Sequence, residues 1–356
     1  MKAAVWHGRR DLRVDEVAAP TSDDVGPQDV LVEVAFCGIC GTDLHEYTDG
    51  PLLVAVQPHP LTGVGAPVTL GHEYSGTVRQ VGSAVTRARV GDRVVVNPQI
   101  FCFECPPCRR GDLQMCDLIA ATGSSSRWGG YSRAVVVNEY QLNPLPDSLS
   151  FEEGAIAEPA ATAVRAVALG QVKPGDVAFV VGGGPIGQLV AMVARAAGAR
   201  EVYLSEPSPL RRELAGRNAE PTRLIDPRQE HAVSVVREAT DGVGADVSFE
   251  CSANERGFHD AIEATRKGGR VIQVAVFVSK VTLDPAILTM RELALVGCWT
   301  YSPADIRRSI ELMANGQLAA KRVVSGIIDL DDIVSRGFDE LTHPDTQHSK
   351  ILVRPT

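Results

Sequence analysis

Four cysteines, Cys102, Cys105, Cys108 and Cys116, are spaced C-x2-C-x2-C-x7-C, with prolines and Gly111 turning the chain tightly between them. Thiolates this close suit a closed tetrahedral zinc site, with an iron–sulfur cluster the weaker alternative. Four sulfurs leave no open coordination position, so such a zinc staples a loop and does no chemistry. A second group is Cys37-Gly38-Ile39-Cys40-Gly41-Thr42-Asp43-Leu44-His45. Its C-x-x-C reads equally as a redox pair, half a zinc site or two buried thiols. Gly71-His72-Glu73, after the apolar Val68-Thr69-Leu70, adds an imidazole and a carboxylate to the upstream cysteine, three residue types that zinc accepts. The plainer reading of His72 is a structural histidine at a strand end. Glu158-Pro159 stands among alanines, where a carboxylate is either functional or the solvated start of a helix.

A different chemistry is written at Gly182, Gly184 and Gly187, a G-x-G-x-x-G that follows the apolar run Val177–Val181 and includes Ile186. Alone it could be an ordinary glycine turn. Here Gln188–Ala197 continues as a helix, a second apolar run reaches Ser205, and Glu206 follows. Strand, tight turn, helix, strand and acid in that order place a pyrophosphate at a helix N-terminus and the acid at the adenosine ribose. Glu206 would repel a 2′-phosphate and so favours NAD over NADP; Arg211 and Arg212 lie near enough to weaken that preference.

The elements that must carry these groups fall into two kinds. Val30–Phe36, Gly76–Val81, Arg93–Val96 and Tyr131–Val137 are short β-like runs, so residues 1 to about 155 read as all-β and loop-rich. From Gly154, alanine-rich helical stretches alternate with apolar strands as in a doubly wound parallel sheet. Past Gly297 come an amphipathic helix, Asp305–Met313, and a last strand, Ile351–Val353. The 356 residues, 44% hydrophobic, suffice for two domains, and a net charge of −9 without a basic block excludes a nucleic-acid or anionic-membrane surface. With no apolar leader and no run of eighteen apolar residues, a soluble cytoplasmic protein is expected, and its eight cysteines call for thiol or metal chemistry.

The residues together resemble the zinc-containing medium-chain alcohol dehydrogenases. Gly71-His72-Glu73-x2-Gly76-x5-Gly82-x2-Val85 is similar to that family's zinc signature, and Cys40-Gly41-Thr42-Asp43-Leu44-His45, the four-cysteine lobe and the glycine loop stand in the family's order. Within it, His45-Glu46-Tyr47, Pro58–Gly63, Ala66–Leu70, Glu158-Pro159 and Ser205–Ser208 resemble the 2,3-butanediol (acetoin) branch. The likeness runs from Met1 to about Val353.

What the resemblance implies is specific. The fold is α/β: a GroES-like β-rich catalytic domain, 1–155 with 297–356 returning to it, and a Rossmann NAD-binding domain, 156–296. Two zinc ions per chain are implied. One is catalytic, at Cys40, His72, Glu73 and Glu158, with Cys37 a bystander and either glutamate the direct ligand. The other is structural, at the four cysteines. Thr42 and His45 fall on the family's proton relay; Gly182, Gly184, Ile186, Gly187, Glu206 and Arg211 fall on the NAD site. The implied reaction is hydride transfer between NAD and a short vicinal diol or hydroxyketone, in a homodimer or homotetramer. Competing readings are a polyol or threonine-type dehydrogenase of the same family and, remotely, a non-catalytic nucleotide-binding protein. Arg165, where many relatives have histidine, and Cys298-Trp299-Thr300, in place of smaller residues, depart from the pattern.

Overall fold

The computed structural model describes residues 1–343 and 345–356. The chain forms two compact units, Met1–Glu158 with Val324–Thr356, and Pro159–Val323. The divisions expected from sequence were 155/156 and 296/297.

The first unit is organised around strand Asp29–Gly38. Its alternating sequence sends Val30, Val32 and Val34 into the core, each at most 3% exposed, and leaves Leu31 and Glu33 half-buried between them. Glu73–Val81, Ala134–Asn138 and the C-terminal Ile351–Arg354 all pair with it antiparallel. Arg93–Val96 and Leu142–Pro144 extend the sheet on one side and Gly326–Asp329 on the other. A smaller sheet holds Asp11–Glu16, Lys2–Gly8 and Val68–Thr69. The all-β reading of this stretch needs correction: Pro106–Arg109 is a short helical turn, and Gly41–Asp49 is a helix, α1, that carries Thr42 and His45. Nine residues of weak periodicity conceal it. Its start is held by Asp43, whose carboxylate accepts the Cys40 amide at 3.0 Å.

In the second unit six strands pair parallel in the order Arg223–Ile225, Glu201–Ser205, Val177–Val181, Ala245–Glu250, Thr265–Gln273, Ala294–Gly297. Numbered by sequence this is 3-2-1-4-5-6, the doubly wound arrangement. The central Val177–Val181 is buried at every residue, which accounts for its unbroken apolar run. Helix α2, Phe151–Gly170, contains Glu158 and Arg165; α3, Pro185–Ala196, follows the glycine turn; α4, Pro209–Ala219, follows Glu206. Among the described residues no helix is long and apolar enough to cross a membrane.

Candidate active site and metal centres

The Sγ atoms of Cys102, Cys105, Cys108 and Cys116 all lie within 4.8 Å of one another. Cys102 is 3.5 Å from Cys116 and 4.0 Å from Cys108. Zinc–sulfur bonds of about 2.3 Å in a tetrahedron set sulfurs about 3.8 Å apart, so the cage fits the ion. Backbone amides of Cys102, Cys105 and Asp117 donate to these sulfurs at 3.4 Å each. Such bonds favour thiolates: the Glu104 and Cys105 amides hold the Cys102 thiol down to about 6, whereas burial pushes Cys108 up to about 12.

A second cluster joins Cys40 Sγ, a ring nitrogen of His72 and a Glu73 carboxylate oxygen, again within 4.8 Å of one another. Cys40 immediately precedes α1, and Glu73 opens the strand that lies against Asp29–Gly38, opposite Gly38. The approach requires glycine, because a Cβ on Gly38 would sit 2.1 Å from Glu73 Oε2. Gly71 has φ +95°, and a Cβ there would meet the Tyr131 amide nitrogen at 2.7 Å. One thiol, one imidazole and one carboxylate suit zinc with an open position.

Behind these donors lies a buried support. Asp43, 2% exposed, faces His72 Nδ1 at 3.3 Å and accepts from the Tyr131 hydroxyl at 2.7 Å. The His72 ring also makes a hydrogen bond with the Cys40 thiol. Burial works against the Asp43 charge, but His72, Tyr131 and the Cys40 amide outweigh it and its pKa lies below the ordinary value. Lys350, 3% exposed, donates to Glu73 Oε1 at 2.6 Å and to the Ile39 carbonyl at 3.0 Å. Burial alone would lower the Lys350 pKa; the charges of Glu73, Cys40 and Glu158 raise it instead. Glu158 is buried on α2 and acts on Lys350 without belonging to the three-donor cluster. Thr42 and His45 stand one turn apart on α1, with His45 half-exposed and its Nδ1 3.8 Å from Asp49.

The glycine turn is built for a close approach. Gly182 has φ +103°, and a Cβ on Gly187 would lie 1.9 Å from the Gly182 carbonyl oxygen. Gly184, the N-cap of α3, has open space where a Cβ would point and no side-chain cap, so the first-turn amides, that of Ile186 included, are free for phosphate oxygens. Glu206 is 5% exposed and accepts from the Gly183 amide and the Ser208 amide, each at 2.7 Å. Arg211 is exposed on α4. It is Arg212 whose guanidinium reaches the Glu206 carbonyl, at 2.8 Å.

The chain is 39% identical to the (R,R)-butanediol dehydrogenase of Bacillus subtilis strain 168 over 358 aligned residues, covering 100% of both. It belongs to the zinc-containing alcohol dehydrogenases. Residues 26–147 match the alcohol dehydrogenase GroES-like domain and residues 185–315 the zinc-binding dehydrogenase domain. The X-ray structure of 2R,3R-butanediol dehydrogenase from Bacillus subtilis superposes with a TM-score of 0.92 at 37% identity, covering 100% of this chain and 99% of that one. A structure described as a zinc-binding dehydrogenase of Sinorhizobium meliloti 1021, bound to NADP, gives 0.88 at 32% identity, covering 99% of each. The protein is accordingly an alcohol dehydrogenase that uses zinc and a nicotinamide dinucleotide.

Several groups around the sites of this alcohol dehydrogenase were not expected from the sequence: Asp43 behind His72, Lys350 on Glu73, and Asp226 and Arg228 near Glu206; of the two arginines expected near Glu206, Arg212 is the one that reaches it. Asp43 sits inside the Cys40–His45 motif and its position could have flagged it. Lys350 carries no local signal. Of the departures from pattern, Arg165 has a buried Nε without a hydrogen-bond partner, and Thr300 takes φ 45°.

Proposed function

We propose that the protein oxidises a short vicinal diol of the 2,3-butanediol type with NAD and reduces the matching hydroxyketone. The observation that carries this is the second buried carboxylate: beyond the Cys40–His72–Glu73 donors, Glu158 stands close enough to act on Lys350. A diol brings two oxygens, and Glu158 is an acceptor for the second hydroxyl. The butanediol activity of the Bacillus relative supports the same choice.

On this reading Cys40 and His72, with Glu73 or Glu158, hold the catalytic ion, and the four cysteines hold the structural one. Zinc, when bound, supplies a Lewis acid that lowers the pKa of the substrate hydroxyl, and NAD supplies the hydride acceptor. The protein's own groups do the rest. Asp43 fixes the His72 ring so that one nitrogen remains for the ion. Lys350 balances the Glu73 charge. Thr42 Oγ1 accepts the substrate proton as its own hydroxyl proton is passed on, and the His45 ring, one turn on and half-exposed, is the relay's exit that gives a proton to solvent. Glu206 accepts from the ribose hydroxyls of NAD; since a relative is bound to NADP, local residues must decide this preference. We infer a homodimer or homotetramer, supported by the open edge strand Ala294–Gly297 and the exposed Val276, Val278 and Met290. Eight free cysteines support a cytoplasmic location.

The test compares kcat/KM for 2,3-butanediol and 2-butanol in the wild type and Glu158→Ala. The wild type should prefer the diol by roughly 100-fold or more, because the second hydroxyl gains a hydrogen bond to Glu158 that 2-butanol cannot make, and Glu158→Ala should erase most of that preference. Equal values in the wild type sink the diol assignment.

A further inference from the structure

Glu206 belongs to a cluster of four charges with Asp226, Arg212 and Arg228. Asp226, at the end of strand Arg223–Ile225, is 8% exposed and holds two arginines at once. Arg212 Nη2 is 3.0 Å from Asp226 Oδ2. Arg228 grips the same carboxylate at both oxygens, Nε to Oδ1 and Nη2 to Oδ2, each at 3.2 Å, and its backbone amide adds a bond at 3.1 Å. Arg212 also donates to the Glu206 and Pro207 carbonyls, at 2.8 and 3.1 Å, and the charge of Glu206 acts on Arg228. Both guanidiniums therefore stand next to the acid that faces the adenosine ribose, and both are turned onto Asp226.

We propose that Asp226 is a specificity-determining residue for the cofactor: by engaging Arg212 and Arg228 it withholds the cations that would otherwise receive a ribose 2′-phosphate. The inference rests on the NAD reading of Glu206 above. Two acids and two arginines balance, which matches the uncharged ribose hydroxyls of NAD. A 2′-phosphate would add negative charge beside Glu206 with neither guanidinium of this cluster to spare. A planar guanidinium close to the ribose is the usual partner of that phosphate, so what excludes NADP here is the occupation of the arginines as much as the charge of Glu206. Asp226 touches no part of the cofactor in this account and acts by positioning.

The variant that tests this is Asp226→Asn, which keeps the shape of the side chain and removes the charge. Dissociation constants for NADH and NADPH, read by fluorescence titration of the purified protein, and for adenosine 2′-monophosphate against adenosine 5′-monophosphate, isolate the ribose site from catalysis. In Asp226→Asn the ratio Kd(NADPH)/Kd(NADH) should fall by about tenfold or more, through tighter NADPH binding, since one opposite charge a few ångströms away is worth that much. Adding Arg212→Met and Arg228→Met together should restore the wild-type ratio. A structural role alone would weaken both cofactors together and could not produce a gain for NADPH. Ratios within about twofold of wild type in both Asp226→Asn and Asp226→Ala, with unfolding temperatures showing folded protein, overturn the clamp. A wild type that does not prefer NADH overturns the Glu206 reading itself, whereas a wild type that prefers NADH with an unmoved variant overturns only the role of Asp226.

Discussion

The two metal-binding clusters are assembled in opposite ways. The four-cysteine cage lies within fifteen residues of chain, its sulfurs bonded by amides of the same loop. The Cys40–His72–Glu73 cluster draws donors from two distant segments, and its supports come from further still: Tyr131 on Asp43 and Lys350, 277 residues along the chain from Glu73. The cage is chemically uniform and closed; the other set is mixed and open. A loop can make its own cage when its only task is to hold its own shape. A site that must bind, orient and release a substrate needs donors of different hardness, a buried carboxylate to set a ring and a cation to balance a carboxylate, and no single loop supplies all of these.

The contrast breaks down if damage to either cluster has the same consequence. The largest effect is expected from Cys40→Ser: kcat/KM falls by roughly a thousandfold or more because the Lewis acid is displaced or lost, while circular dichroism and the unfolding temperature stay close to wild type. Inactivity accompanied by unfolding would mean that the open cluster is structural as well.

Asp43→Asn comes next and sharpens the comparison at one remove. Loss of the carboxylate behind His72 should cost about 10–100-fold in zinc affinity at that site or in kcat/KM. The elemental zinc content after mild chelation should drop from two per chain towards one. Wild-type kinetics and retention of both ions would show that the Asp43–His72 contact merely packs.

The smallest effect on catalysis belongs to the cage. Cys102→Ser should remove one zinc per chain and lower the unfolding temperature, by roughly 10 °C, with kcat reduced less than tenfold. A pH series extends this. Zinc needs thiolates, so the bound form is favoured above the thiol pKa values and is lost as protons return. Amide bonds keep the Cys102 thiol near 6, but buried Cys108 resists ionisation. Zinc release should therefore grow as pH falls below neutrality, measured with a chromophoric chelator; release that grows on raising the pH instead would refute the thiolate cage.

Much of this molecule was legible without coordinates, and for one physical reason. Where function depends on atoms close in the chain, spacing carries the information. The cage needs four thiols within one loop, and the dinucleotide turn needs glycine at Gly182 for a positive φ and at Gly187 because a Cβ would strike a carbonyl. Val177–Val181, Ala232–Ala239 and Arg93–Val96 have the same limits in sequence pattern and in structure, since periodicity reports burial directly. What remained hidden is what strand pairing alone brings together. Leu352 lies opposite Gly38 in the sheet, and that register delivers Lys350 to Glu73. Strand Arg223–Ile225 beside Glu201–Ser205 sets Asp226 near Glu206, and the turn onto α4 selects Arg212 over its neighbour Arg211. Sequence determined which chemistry the chain holds, because ligand types and local spacing are covalent facts. The tertiary structure decided which charges neutralise which, because a buried ion is tolerable only beside a partner, and only folding chooses that partner.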